Sequence, residues 1–127
     1  MSALLKIFIL DDDKFNLAWY TKFVSSLGGY EVHGFDDVAD CMGRLNEKPD
    51  VLMLDQHLGS TSGLDVMQRI KNDREKVRIV FVSGQDDAHL SSKAIDAGAE
   101  AYIIKGPGDL EKIAQVLKSL KEIIKGS

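Results

Sequence analysis

Five short apolar runs, separated by stretches of helical spacing, constrain the fold of this chain more than any other feature. Most of the runs are apolar on both faces and rich in Ile and Val. They are Leu5–Leu10, Tyr30–Phe35, Val51–Leu54, Arg78–Val82 and Ala101–Ile104. A strand in a parallel sheet has this pattern, because helices cover both of its faces. Tyr30–Phe35 is more polar, with Glu31, His33 and Gly34, which indicates a strand at the sheet edge.

Each run is followed by apolar residues three or four positions apart, which predict amphipathic helices. Their markers are Leu17, Tyr20, Val24 and Leu27; Val38, Met42 and Leu45; Leu64, Met67 and Ile70; His89 to Ala97; and Leu110, Ile113, Ala114, Leu117, Leu120 and Ile124. Gly28-Gly29 ends the first helix, and Gly98 ends the fourth. Asp36 or Asp37 begins the second, which stops before Pro49, and Asp109 caps the fifth. This alternation predicts a doubly wound α/β sheet with right-handed crossovers.

Size and composition narrow the class of protein. A chain of 127 residues fits one domain, so we expect residues 1–127 to form a single unit. The net charge of −4 and the scattered basic residues argue against direct nucleic-acid binding. Cys41 is alone, which excludes an intrachain disulfide and predicts a small packed side chain on a helix. No signal peptide is apparent and no run could cross a membrane, so we expect a cytoplasmic location.

Charged and hydroxyl side chains follow four of the five predicted strands. Asp11-Asp12-Asp13 follows the first strand, Asp55 the third, Ser83-Gly84 the fourth and Lys105 the fifth. The carboxyl ends of parallel strands meet at one edge of the sheet, where doubly wound folds bind ligands. Carboxylates gathered there repel one another by about 1 kcal/mol per pair at 4 Å even in bulk water, so a cation is expected among them. All-oxygen ligands suit Mg²⁺, and with a Lys and a hydroxyl they indicate phosphoryl transfer to an Asp.

Five motifs, in order, give the chain a resemblance to a known family. They are Ile9-Leu10-Asp11-Asp12-Asp13, Val51-Leu52-Met53-Leu54-Asp55 with Gly63 eight residues on, Val82-Ser83-Gly84, Ala97-Gly98-Ala99, and Tyr102-Ile103-Ile104-Lys105. Together they resemble the receiver domains of two-component response regulators, over essentially the whole chain. The resemblance implies a flavodoxin-like (βα)5 fold, with a parallel five-stranded sheet in the order 2-1-3-4-5 and helices on both faces.

The resemblance also implies a role for each residue at the strand ends. Asp55 would take a phosphoryl group from a phosphohistidine of a histidine kinase or phosphotransfer protein. Mg²⁺ would bind Asp12, Asp55 and the backbone carbonyl of His57 directly, and Asp11 through water. Lys105 would pair with Asp55 and then with the phosphoryl oxygens. Such a domain is not an enzyme beyond its own Mg²⁺-dependent phosphorylation and dephosphorylation.

The same resemblance implies a switch and an output. Ser83 would hydrogen-bond the phosphoryl group, and Tyr102 would turn inward as Ser83 moves. The signal would leave through the face formed by the fourth helix, the fifth strand and the fifth helix, toward an output domain or protein. A homodimer is a further partner compatible with the resemblance. His57 and Gln85, two residues after Asp55 and Ser83, would tune the lifetime of the phosphorylated state.

The sequence departs from the usual receiver pattern after the acceptor and after the lysine. Gly59 and Gly106 stand where the family commonly has proline. A cis bond to a non-proline residue costs roughly 2.5–4 kcal/mol, so the Lys105-Gly106 bond is trans or its loop is strained. Gly106-Pro107 is the other candidate for a cis bond. His57 borders the acceptor, where its ring either blocks water or orients it.

Two other functions compete with the phosphorylated receiver. A degenerate receiver would act only as a protein-interaction module, but all five core positions are retained. A small aspartyl-phosphate hydrolase of the haloacid dehalogenase type would carry D-x-D-x-[TV] after its first strand, and Phe15 replaces the last residue of that motif. A flavodoxin would have a hydroxyl-rich phosphate loop there instead of acids.

Structural or surface roles, rather than functional ones, are expected for several other residues. Asp13 is predicted to be structural or a helix cap. His33 and His89 are predicted to be surface residues. Trp19 and Phe23, four positions apart, are predicted to pack their helix against the core rather than to form a docking patch.

Overall fold

A computed structural model describes residues 4–73 and 76–126 and contains one main sheet. Its five parallel strands are β1 (Leu5–Leu10), β2 (Tyr30–Phe35), β3 (Val51–Leu54), β6 (Arg78–Ser83) and β7 (Ala101–Ile104). They lie in the order β2-β1-β3-β6-β7. Two short antiparallel strands, β4 (His57–Leu58) and β5 (Thr61–Ser62), form a separate hairpin after β3. If only the five strands of the main sheet are counted, β6 and β7 are its fourth and fifth strands. The order is then 2-1-3-4-5, as predicted, with the polar strand β2 at an edge.

In the described part of the chain, four α-helices connect the strands of the main sheet and a fifth follows β7. They are α1 (Lys14–Ser26), α2 (Val38–Met42), α3 (Gly63–Asn72), α4 (Ala88–Asp96) and α5 (Asp109–Ile124). Asp13 and Asp37 cap α1 and α2 through their side chains, as their sequence positions suggested. Among the described residues, no helix is sufficiently long and apolar to span a membrane.

Two predicted helix boundaries were wrong. The second helix ends at Met42 and is followed by a separate 3₁₀ turn over Leu45–Glu47. Gly43 has low helix propensity, and the left-handed conformation of Lys48 (φ 57°) ends the turn. At the fifth helix, Gly108 occupies the N-cap with φ 83°, a conformation that favours glycine. Asp109 is therefore the first helical residue, and its carboxylate is buried.

The core consists of two apolar layers, one on each face of the sheet. On one face, Phe8 and Leu10 pack with buried residues of α2, α3 and α4, including Cys41 and Met67. On the other face, buried residues of β1 and β3 pack with Tyr20 and Val24 of α1 and Ile113 and Leu117 of α5; the strand residues are Ile7, Ile9, Val51 and Met53. The predicted coverage of both faces is confirmed, and the sheet lies between the two layers.

The aromatic residues of α1 differ from the prediction. Phe23 packs partly against the core, but Trp19 is 58% exposed and Phe15 is 90% exposed. The core-facing positions of the helix are taken by Tyr20 and Val24. Trp19 is one residue before Tyr20 and therefore points about 100° away around the helix axis. The prediction that Trp19 packs the helix was wrong, and an aromatic pair lies on the surface of α1.

Candidate functional site

The register of the sheet brings the predicted site residues to one edge. Leu10 is paired with Leu54, so Asp11 and Asp55 leave adjacent strands at the same level. The Asp55 N–H donates to the Leu10 carbonyl at 3.2 Å. Ser83 is paired with Ile104, and the Lys105 N–H donates to the Ser83 carbonyl at 2.8 Å. The backbone pairing of the strands thus brings Asp11, Asp55, Ser83 and Lys105 to the same edge of the sheet.

Three carboxylates form the acidic part of the site. One oxygen from each of Asp11, Asp12 and Asp55 lies within 4.8 Å of the other two. Asp11 and Asp55 are buried, and Asp12 is exposed with no hydrogen bond or ion pair to the described part of the chain. Burial raises the pKa of Asp11, because the hydrogen bond from Lys105 does not fully offset the lost hydration. The cluster therefore carries a repulsion that another cation would relieve.

Lys105 is the cation that the structure holds in this cluster. Its Nζ donates to Oδ2 of Asp11 and to Oδ2 of Asp55, both at 2.8 Å. Burial alone would lower the pKa of Lys105, but the two carboxylates outweigh burial and raise it. The ammonium is therefore a fixed positive charge, in direct contact with the predicted acceptor.

Ser83 and Tyr102 meet at the loop after β6. Ser83 is fully buried, and its Oγ accepts the N–H of Gln85 at 3.1 Å. The Tyr102 hydroxyl donates to the Gln85 carbonyl at 3.0 Å, while its ring stacks on Phe81 at 5.5 Å between centroids. Burial raises the pKa of Tyr102, so this hydroxyl remains a donor at neutral pH. One backbone segment thus connects the two predicted switch residues.

His57 and Gln85 lie at the rim of the site, and both are exposed. The His57 N–H points toward Oδ1 of Asp55 at 3.3 Å, a long hydrogen bond. His57 is the first residue of β4, and Gln85 lies in the loop after β6.

The loop after Lys105 contains no cis peptide bond, so both Lys105-Gly106 and Gly106-Pro107 are trans. Gly106 adopts φ 136°, a conformation that an L-residue with a side chain rarely accepts. Lys105 thus reaches hydrogen-bonding distance from both acids with a trans bond to Gly106.

Two residues near the site were not identified from the sequence. The Tyr20 hydroxyl donates to Oδ2 of Asp109 at 2.6 Å, and both side chains are buried. Tyr20 was assigned to the apolar stripe of the first helix and Asp109 to a helix cap. The signal available was the phenol itself, because a buried tyrosine hydroxyl usually has a hydrogen-bond partner.

The residues of the acidic cluster fit a magnesium ion. Opposite ligands of an octahedral Mg²⁺ are about 4 Å apart, which is close to the spread of the three carboxylate oxygens. The unpartnered carboxylate of Asp12 supplies an exposed oxygen. Lys105 already holds one oxygen each of Asp11 and Asp55, and their second carboxylate oxygens are not contacted by its ammonium. The donor set is all oxygen, as Mg²⁺ requires.

Comparison with known proteins agrees with this geometry. A family model described as the response regulator receiver domain matches residues 7–118. The response regulator protein TodT of Pseudomonas putida is 33% identical over 116 residues, which is 91% of this chain and 51% of TodT. The sensory transduction protein LytT of Bacillus subtilis is 30% identical over 124 residues, 94% of this chain and 49% of LytT. The chain thus spans about half the length of these relatives.

Solved structures have the same fold. A CheY-like response regulator receiver domain protein from Methanospirillum hungatei superposes with a TM-score of 0.84 at 24% identity, covering 98% of this chain and all of that one. The BeF3-activated DrrB receiver domain superposes with a TM-score of 0.79 at 28% identity, covering 94% and 99% of the two chains. From the matched family and its relatives, this chain belongs to the response regulator receiver domains of two-component signalling.

Proposed function

We propose that this domain accepts a phosphoryl group on Asp55 from a phosphohistidine of a histidine kinase or phosphotransfer protein. The observation that carries the proposal is the ammonium of Lys105, 2.8 Å from both Asp55 and Asp11, beside the free carboxylate of Asp12. A buried acceptor with a fixed cation and an acidic metal site has the parts that phosphoryl transfer needs. We propose that residues 1–127 act as one receiver unit.

In the proposed transfer, a carboxylate oxygen of Asp55 attacks the phosphorus. An O–P bond forms, the N–P bond of the phosphohistidine breaks, and the imidazole nitrogen keeps the electron pair and later binds a proton. The three phosphoryl oxygens carry the developing charge, which Lys105 is positioned to neutralise. Lys105 would exchange its contact with Asp55 for a contact with a phosphoryl oxygen. The N–H that now points to Asp55 would then donate to the phosphoryl group instead.

Asp12, Asp55 and the backbone carbonyl of His57 are the residues we propose as direct Mg²⁺ ligands, with Asp11 acting through water. When bound, Mg²⁺ would draw negative charge from the phosphoryl oxygens and neutralise the carboxylates. Asp11 is suited to the indirect role, because its two oxygens already accept the Asp13 N–H at 2.9 Å and the Lys105 ammonium at 2.8 Å.

The proposed switch uses the contacts of Gln85. Ser83 would turn its hydroxyl to the phosphoryl group and give up the Gln85 N–H, and the Tyr102 hydroxyl would leave the Gln85 carbonyl as the ring moves inward. These changes would alter the face of α4, β7 and α5. Because the matched relatives are about twice as long as this chain, we propose that this face contacts an output domain or protein.

The surface beside the acceptor suits a protein donor. Phe15 and Trp19 are exposed on α1, the helix that directly follows Asp11, Asp12 and Asp13. Exposed aromatic side chains one helical turn apart provide apolar area at low conformational cost, as protein interfaces do. We propose that the phosphohistidine protein binds this pair while its histidine reaches Asp55.

A degenerate receiver remains the competing function, and intact-mass spectrometry separates the two. Wild type treated with acetyl phosphate and Mg²⁺ should gain the mass of one phosphoryl group, and Asp55→Asn should gain none. A degenerate receiver would give no adduct on either protein. Equal labelling of wild type and Asp55→Asn would show that the acceptor is another residue.

Magnesium should stabilise the folded domain. The ion binds the assembled acids and not the unfolded chain, so the free energy of unfolding should rise by about 1.4 kcal/mol at ten times Kd. Asp12→Asn should reduce this gain, because it removes the carboxylate that has no other partner. Thermal melts with and without several millimolar Mg²⁺ measure the effect. An identical melting temperature in both conditions would contradict a preformed metal site.

His57 and Gln85 should set the lifetime of the phosphorylated state. Hydrolysis requires water in line with the bond from Asp55 to phosphorus, and we propose that these two exposed side chains border that approach. If the His57 ring obstructs water, His57→Ala should lose the phosphoryl group faster, with Mg²⁺ binding retained because only the backbone carbonyl is a ligand. Slower loss would show that the ring orients water. Time courses on His57→Ala and Gln85→Ala test both positions, and unchanged rates would exclude them.

A further inference from the structure

A buried carboxylate outside the acidic cluster lies against the loop that carries Lys105. Asp109 is the first residue of α5 and is 8% exposed. Its Oδ2 accepts the hydroxyl of Tyr20 at 2.6 Å and the backbone N–H of Gly106 at 3.1 Å. Gly106 directly follows Lys105, so Asp109 holds the backbone next to the residue whose side chain carries the proposed catalytic cation.

Tyr20 approaches the same lysine from the other side. It lies on α1 and is 4% exposed. Its ring centroid is 6.0 Å from the Lys105 Nζ, at the limit of a cation–π contact. Burial, followed by the contact with Asp109, raises the pKa of Tyr20, so the phenol stays protonated and donates. Tyr20, Asp109 and the N–H of Gly106 therefore form one connected unit, here called the brace.

The local sequence explains why a brace is needed. Lys105 is followed by Gly106, Pro107 and Gly108, and both glycines have positive φ. Glycine gives up more conformational freedom on ordering than any other residue. Pro107 and the backbone hydrogen bond from the Asp109 N–H to the Gly106 carbonyl at 3.1 Å limit this loop only in part, because Gly106 and Gly108 have no side chains to pack. The hydrogen bond from the Gly106 N–H to the Asp109 carboxylate adds a side-chain restraint, and the Tyr20 hydroxyl holds that carboxylate in place.

A simple role for Asp109 at a helix terminus does not account for its burial. An acid in the first turn of α5 favours the helix dipole, but the exposed Glu111 already provides that interaction. Burying a carboxylate is costly unless it is hydrogen-bonded. The two donors to Asp109 Oδ2 both lie next to Lys105: the Tyr20 ring is near its ammonium, and Gly106 is the next residue in the chain. An ordinary acid at a helix N-terminus has no such contacts.

We propose that Tyr20 and Asp109 are positioning residues that hold the Lys105 ammonium between Asp11 and Asp55. This inference rests on the proposed phosphorylation of Asp55 and adds two residues to its machinery. Without the brace, the Gly106 loop would relax and Lys105 would spend less time in the acidic cluster.

The brace predicts two effects of opposite sign. Asp109→Ala should phosphorylate more slowly from acetyl phosphate, on the order of tenfold, because small misplacements of a catalytic group are costly. The same variant should bind Mg²⁺ more tightly, because a Lys105 ammonium that leaves the acidic cluster repels the ion less and neutralises less of the carboxylate charge. Asp109→Asn should recover most of the rate, since its amide oxygen can still accept the Gly106 N–H. Tyr20→Phe keeps the ring beside Lys105 and should show a smaller loss than Asp109→Ala.

The decisive experiment is a double-mutant cycle with Lys105→Met, accompanied by calorimetric titration of Mg²⁺. If Asp109 acts through Lys105, Asp109→Ala should slow wild type about tenfold and change the Lys105→Met rate by less than about twofold. Asp50→Ala is the matched control, because Asp50 accepts the Lys6 N–H at 2.8 Å at the opposite edge of the sheet. It should lower the melting temperature without altering the rate of phosphorylation.

Equal slowing by Asp109→Ala in both backgrounds, or weaker Mg²⁺ binding, would overturn the brace and indicate general loosening of the fold. Absence of phosphorylation in wild type would instead overturn the proposed function. The Mg²⁺ titration needs no phosphorylation, so tighter binding by Asp109→Ala would in that case still support the placement of Lys105 by the brace.

Discussion

Lys105→Met is expected to slow phosphorylation of Asp55 on the order of a hundredfold, because it removes the fixed positive charge that meets the developing phosphoryl charge. It should also lower the free energy of unfolding by about 3 kcal/mol at neutral pH without Mg²⁺. Lys105 is the partner of two buried carboxylates, at 2.8 Å from each. Its removal leaves both acids desolvated and facing each other, while methionine preserves most of the side-chain volume.

Magnesium should partly reverse the stability loss but not the loss of rate. The ion replaces the missing cation among the acids, so the melting temperature of Lys105→Met should rise more with Mg²⁺ than that of wild type. Lys118→Met is the control, because Lys118 is an exposed lysine of α5 and should change neither property. A Lys105→Met protein with wild-type stability and rate would show that the lysine contacts are incidental.

Gly63→Ala should destabilise the domain by about 3 kcal/mol and displace the acceptor. Gly63 begins α3, and an added Cβ would lie 2.5 Å from the Asp55 carbonyl oxygen and 2.7 Å from the Phe81 ring. The Asp55 carbonyl is backbone and cannot rotate away, so β3 and α3 must separate. Denaturant unfolding measures the loss, and phosphorylation should fall with it because Asp55 moves.

Gly84→Ala is the matched control for this substitution. Gly84 follows Ser83 at the same edge of the sheet, and an added Cβ there has nothing within 4 Å. Its stability should remain within about 1 kcal/mol of wild type, close to the difference in backbone entropy between the two residues. Wild-type stability in Gly63→Ala would contradict this account, because it would show that α3 accommodates the added methyl group without moving away from Asp55.

The sheet and the positions of its acids were predictable because both follow from periodicity. Runs that are apolar on both faces identify parallel strands, and parallel strands bring their carboxyl ends together. Asp11, Asp55 and Lys105 therefore converge without any knowledge of side-chain geometry. Strand order came from the family resemblance, since pairing between distant strands leaves no local trace in an apolar run.

The errors have physical causes of a different kind. Tyr20 and Asp109 are 89 residues apart, and nothing local in either helix announces their hydrogen bond. Trp19 was predicted to pack because large aromatic side chains are usually buried, although it lies outside the apolar stripe that contains Tyr20 and Val24. Asp109 was predicted to be the cap because aspartate is a common N-cap residue. The actual N-cap is Gly108, whose backbone adopts φ 83°, and the sequence does not show that conformation.

Chemical trapping of the acyl phosphate tests the central claim most directly. The domain is phosphorylated with acetyl phosphate and Mg²⁺, reduced with borohydride to convert the phosphorylated aspartate to homoserine, and digested for peptide mass spectrometry. We expect homoserine at position 55 alone, despite the nearby carboxylates of Asp11 and Asp12. Homoserine at position 11 or 12, or none at position 55 in protein that carries a phosphoryl adduct, would contradict the assignment of Asp55 as the acceptor.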